Sequence, residues 1–175
     1  MSNVARAIAA RSSSRSITAR FAEFARAKGL TNKTKDADER KRYREERKEF
    51  FGKAVNEGFE RNFGKNEVSL EAWLGLCKTV GLKDVKGLTD VEACKKALKD
   101  RYVNIVDLVD AAEARKTCTT FTSAAKLRTY TRGEKIYPLR AAERNPLLET
   151  FLIRLTPEPP KSQPAKKTAS SRRKP

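Results

Sequence analysis

The chain has 175 residues, 38% of them apolar and 35% charged, and 39 Lys and Arg against 22 Asp and Glu leave it at +17. That length suits one domain with tails, and that charge favours polyanionic partners. The absence of histidine excludes Ser-His-Asp and Cys-His catalysis and every His-containing zinc site.

Cys77, Cys94 and Cys118 form no C-x-x-C pair, and three thiols fall short of a four-cysteine zinc site. Cys77 and Cys94 lie on apolar stripes and read as small buried hydrophobes in a reducing compartment. No stretch reaches the roughly 18–20 apolar residues of a spanning helix. The N-terminus lacks the apolar core of about 7–15 residues that marks a secretory signal.

The charge is unevenly spread. Residues 1–35 hold eight basic groups and one acid, Glu23. Rich in Ser, Ala and Arg, this segment reads as a flexible basic arm. It also has the composition of a mitochondrial transit peptide, although a continuous helix would put Arg11 and Arg15 beside Val4 and Ile8.

Residues 36–65 read as a charged amphipathic helix, over 36–63, with Gly64 as its stop. Asp36/Arg40, Asp38/Arg42, Glu49/Lys53 and Glu57/Arg61 are acid-first i,i+4 pairs. Phe51, Val55, Phe59 and Phe63 form one apolar stripe. Gly52 and Gly58 weigh against helix by about 1 kcal/mol each. The basic run from Arg40 to Lys48 includes Tyr43 and is offset by Glu45, Glu46 and Glu49, so it reads as a solvated face.

Residues 66–155 read as a helical core domain. Ser69 caps a helix bearing Leu70, Trp73, Leu74, Cys77 and Val80, and Gly81 ends it. Thr89 to Glu92 is a capping box for a helix with Val91, Cys94 and Leu98 inward and Lys95, Lys96 and Lys99 outward. Asn104 caps a third helix, with Ile105, Leu108, Val109 and Ala112 inward; a short strand over 103–109 is the alternative. Asp107, Asp110 and Glu113 on that helix read as a solvated acidic face. Ser123 opens a fourth helix, with Leu127 and Tyr130, that closes at Gly133. Pro138 starts a fifth. Asn145-Pro146 starts the last, with Leu147, Leu148, Phe151, Leu152 and Leu155. Residues 156–175 read as a disordered basic tail. The predicted fold is all-α: a compact bundle of five to six short helices, preceded by the long charged helix, with disordered basic termini.

The run Trp73-Leu74-Gly75-Leu76-Cys77, then Cys94 to Leu98, Val103 to Val109 and Lys135-Ile136-Tyr137-Pro138 resembles a group of short basic all-helical ascomycete fungal proteins. The resemblance covers about residues 50–155. It implies a shared folding unit and a fungal origin, and no chemistry.

Two clusters are candidate phosphate contacts. Lys95 and Lys99 share one helix face at i,i+4 with Lys96 adjacent, and Arg101 follows just beyond. Lys166, Lys167, Arg172, Arg173 and Lys174 lie in the tail and also fit a nuclear import signal. About eight residues join the helices at 69–80 and 89–100, whereas a DNA-reading helix-turn-helix uses about 3–4. Tyr130 and Tyr137 interleave with arginines, but read as half-buried core residues. No catalytic constellation, cofactor loop or metal site assembles. The expected function is non-enzymatic, electrostatic binding of nucleic acid or a nucleic-acid complex in the nucleus, without sequence specificity. The alternatives are a protein-interaction adaptor with a nuclear-targeting tail, and a mitochondrial matrix protein.

Overall fold

The computed structural model describes residues 15–132 and 135–155, with side chains to Leu152. Seven α-helices, α1 (Ile17–Ala27), α2 (Ala37–Phe63), α3 (Leu70–Val80), α4 (Val91–Leu98), α5 (Ile105–Glu113), α6 (Ala124–Thr131) and α7 (Pro146–Leu155), carry most of the described residues. A 3₁₀ helix covers Leu139–Arg144. Two short strands, β1 (Tyr102–Val103) and β2 (Thr120–Phe121), pair antiparallel, with Tyr102 opposite Phe121. The chain is thus mostly helical, and of the strand alternative over 103–109 only Val103 lies in a strand.

The helix starts follow side-chain capping. Asp36 accepts the N–H groups of Asp38 and Glu39, Ser69 that of Ala72, and Ser123 that of Lys126. Each satisfies donors that the first turn leaves without a partner. Gly81 ends α3 at φ +86°, in the left-handed region where an L side chain is strained. The capping box shifts by one residue: Asp90, not Thr89, caps α4, accepting from Ala93 N–H at 2.7 Å.

Helix α2 does not merely precede the bundle. Its Phe51, Val55, Phe59 and Phe63 are buried, and it packs on α1, α3, α5 and the 3₁₀ helix. The two glycines that weaken it locally allow this packing. A Cβ on Gly58 would sit 2.4 Å from Val109 Cγ1 of α5, and one on Gly52 would sit 3.2 Å from Ala141 Cβ. Close backbone approach at these points outweighs a helix-propensity loss of about 1 kcal/mol each. The acid-first pairs expected along α2 give way to other partners. Asp36 caps, Lys53 meets Glu57, Arg40 donates to Thr34 O, and Arg61 reaches Glu113 on α5.

The reading of residues 1–35 as a flexible arm does not hold for its described part. Residues 17–27 form α1, and its Ile17, Phe21 and Ala25 are buried. Apolar residues at i, i+4 and i+8 give even this Ala- and Arg-rich segment one side to bury. Phe21 meets Tyr43, Phe50 and Phe51 of α2 at ring-centroid distances of 5.4, 5.4 and 5.7 Å. The predicted fifth helix is the 3₁₀ helix after Pro138. The predicted stop at Gly133 lies outside the described residues, and α6 ends at Thr131.

Buried polar residues mark the joints. Asn104 is 3% and Asn145 1% exposed, and both are helix caps. Asn104 Oδ1 accepts from Val106 and Asp107 N–H, while its Nδ2 donates to Lys135 O and Thr131 Oγ1. Asn145 Oδ1 accepts from Leu148 N–H, and its Nδ2 donates to Gly64 O at 3.0 Å. In each case one amide serves its own helix and a distant carbonyl together. A carboxylate, which donates nothing, cannot do both.

Candidate nucleic-acid interface

The first half of α2 sends only Tyr43 toward the core among its large apolar side chains, and is otherwise rich in cations. Arg40, Tyr43, Arg44, Arg47 and Lys48 follow i, i+3, i+4, i+7 and i+8 spacing, which places them on one helix face. With Asn32 and Ile136 they line a groove of about 380 Å³ that no carboxylate lines. Lys41 and Arg42 do not line it, so the basic run still spreads around the helix, but its other four cations gather on one face, away from the glutamates read as offsetting them. Of those glutamates, Glu46 turns to Lys28 of the α1–α2 connection at 3.1 Å, and Glu45 and Glu49 stay outside the groove. The stripe was legible in the spacing alone.

Two of the four cations are held in place. The Arg47 guanidinium lies over the Phe51 ring at 4.7 Å and the Phe21 ring at 5.6 Å. Arg40 Nη1 donates to Thr34 O at 2.7 Å. Arg44 and Lys48 are exposed and have no acidic partner among the described residues. Held guanidinium groups lose less freedom when they meet an anion. Lys48 also borders a second hollow, of about 730 Å³, where Lys53, Arg140 and Arg144 alternate with Glu49, Glu57 and Glu60. The unopposed positive charge therefore belongs to the first groove.

The cluster expected on α4 is only partly available. Lys95 does not point outward: its ammonium lies 5.6 Å from the Trp73 ring centroid and 2.7 Å from Glu92, and its side chain is 15% exposed. Its aliphatic stem finds apolar cover on α3, a common fate of long charged side chains. Lys96, Lys99 and Arg101 are exposed. None of these residues lines the α2 groove. Lys166, Lys167, Arg172, Arg173 and Lys174 lie outside the described residues.

The acids of α5 are not a solvated face. Asp107 Oδ1 accepts from Lys135 Nζ at 2.6 Å, Asp110 Oδ1 from Ile17 N–H at 2.9 Å, and Glu113 Oε1 from Arg61 Nη1 at 2.7 Å. The Glu113 side chain is only 4% exposed. Each acid thus ties α5 to a different segment. Burial would lower the Lys135 ammonium, but contact with Asp107 and with Tyr130 Oη, 2.7 Å away, raises it overall. Tyr137 is core, 7% exposed, and donates to Asn56 Oδ1. Tyr130, at 41%, is exposed, contrary to its reading as half-buried.

Among the described residues, no group of three or more Cys, Asp or Glu is placed to hold a metal ion. No described helix is long and apolar enough to cross a membrane. No family model matches the chain, and no curated protein or solved structure is significantly similar to it. The functional reading therefore rests on the geometry of the chain itself.

Proposed function

We propose that this chain is a small non-enzymatic protein that binds nucleic acid, or a nucleic-acid complex, electrostatically and without sequence specificity. The observation that carries this reading is the groove lined by Arg40, Arg44, Arg47 and Lys48 with no carboxylate. Phosphates entering it displace counterions, and their release drives binding. The tail, with six basic residues and one acid over 156–175, adds contacts of the same kind. Lys96, Lys99 and Arg101 supply a secondary set of point charges. Nothing in this mechanism reads a base pair, so affinity follows charge and salt rather than sequence.

The test is a salt titration of duplex binding with the full chain. Four phosphate contacts correspond to a log–log slope of about −3.6, to which the tail adds. Replacing Arg44 and Lys48 together with Ala should flatten the slope by about 2. Both side chains are exposed, so the fold should be unaffected. An unchanged slope in that variant would remove the groove from the interface.

We further propose a nuclear location, supported by the two basic clusters of the tail. Burial of Ile17, Phe21 and Ala25 argues against a transit peptide of roughly 20–30 residues, because its removal would strip these residues from the core. Loss of nuclear signal from a tagged chain lacking residues 156–175 would support the import role of the tail. Retained nuclear signal would refute it.

A further inference from the structure

We infer that the α2 groove accepts an unpaired nucleobase, so that the preferred ligand is a single strand rather than a duplex. This rests on the nucleic-acid reading above and narrows it. The groove is concave and its cations flank apolar surface. Tyr43 is half-buried, and Ile136 stands 54% exposed at the groove. A duplex keeps its bases stacked inside and presents phosphates along a broad cylinder, which has no use for an apolar recess. A single strand has a base face to cover for every phosphate that it offers.

The lining supplies each contact that such a ligand needs. Ile136 and the Tyr43 ring give apolar contact to a base face. The exposed planar guanidinium of Arg44 can stack on it, as arginines do with unstacked bases. Asn32, exposed and without a side-chain partner among the described residues, brings both a donor and an acceptor to a base edge. Lys48 and Arg47 remain for the flanking phosphates. The absence of a carboxylate also favours an anionic peptide. Such a peptide, however, has no flat ring at every charge, and the groove volume of about 380 Å³ exceeds what a lone carboxylate fills.

The experiment compares three probes of equal charge on the full chain by fluorescence anisotropy: oligothymidylate, the same strand with abasic sites throughout, and poly-glutamate. Oligothymidylate should bind about ten-fold more tightly than the abasic strand, as expected for one stacked base. Poly-glutamate should bind no more tightly than the abasic strand. In the Ile136→Ala variant, which alters an exposed side chain, the ratio of thymidylate to abasic affinity should fall toward one. Equal binding of the two strands with a steep salt dependence overturns the base pocket and leaves the electrostatic reading standing. An unchanged ratio in Ile136→Ala, or tighter binding of poly-glutamate than of oligothymidylate, also overturns it. If neither strand binds at low salt, both readings fall.

Discussion

The carboxylate of Asp110 accepts the backbone N–H of Ile17 at 2.9 Å, joining α5 to the start of α1 across 93 residues of chain. The contact places negative charge at the N-terminus of a helix, where it is favoured. Yet burial, followed by the neighbouring Asp107 and Glu113, pushes Asp110 from an ordinary 3.8 up to about 6, against the opposing pull of the Ile17 N–H and Lys135. The folded protein therefore disfavours the charged form relative to the unfolded chain.

The sign of the pH effect follows from that shift. A carboxyl that binds its proton more tightly when folded opposes folding fully above about pH 6, and this opposition fades as the pH falls toward 3.8. Asp110→Asn keeps an acceptor for Ile17 and removes the charge. It should melt a few degrees above the parent at neutral pH and beyond, and the gap should narrow as the pH falls through about 6. Thermal melts followed by circular dichroism across that range measure it. A gap that widens on acidification would show that the carboxylate is stabilising as it stands.

Gly58→Ala should be destabilising despite the better helix propensity of alanine. The added Cβ would meet Val109 Cγ1 at 2.4 Å, between two packed helices with no room to part. Overpacking of this kind costs about 1–3 kcal/mol. Gly52→Ala meets Ala141 and Pro138 at 3.2 and 3.3 Å, beside a surface 3₁₀ helix that yields more easily. Urea denaturation of the two variants should rank Gly58→Ala well below Gly52→Ala. The reverse ranking would place the tight seam elsewhere.

The three cysteines should resist thiol reagents while the protein is folded. Burial pushes Cys77 up to about 12 and Cys118 to about 11, and raises Cys94 as well. The thiolate is the reactive form, so at mildly alkaline pH the native protein holds very little of it. Labelling with a chromogenic disulfide should be slow, and should reach three thiols only after denaturant is added. Rapid native labelling of two thiols would mean that the α3–α4 packing opens readily.

Helix starts were legible because capping residues stand directly before apolar stripes. Ser69, Asn104, Ser123 and Asn145 each mark the observed N-cap or the residue before the first turn. The stripe Phe51, Val55, Phe59 and Phe63 was equally plain. What escaped depends on distant partners. Ile17, Phe21 and Ala25 lie in a composition that suggests an arm, and only the aromatic face of α2 gives them something to cover. Asp107 and Glu113 resemble solvent-facing acids until Lys135 and Arg61 arrive from other segments. Lys95 has the spacing of an outward residue, yet the face of Trp73 lies within its reach. The cationic groove was half-legible: its spacing along α2 is local, whereas Asn32 and Ile136 come from elsewhere in the chain.

The Asp110–Ile17 contact also imposes a timetable on synthesis. A ribosome adds roughly 5–20 residues per second, so Ile17 leaves the peptidyl-transferase centre about 5–20 s before Asp110 is made. Phe50 and Phe51 follow Ile17 by about 2–7 s at that rate, so α1 can lean on α2 through Phe21 and Phe24 well before Asp110 exists. The aromatic contacts of α1 with α2 are thus available to the nascent chain before the tie to α5 can form.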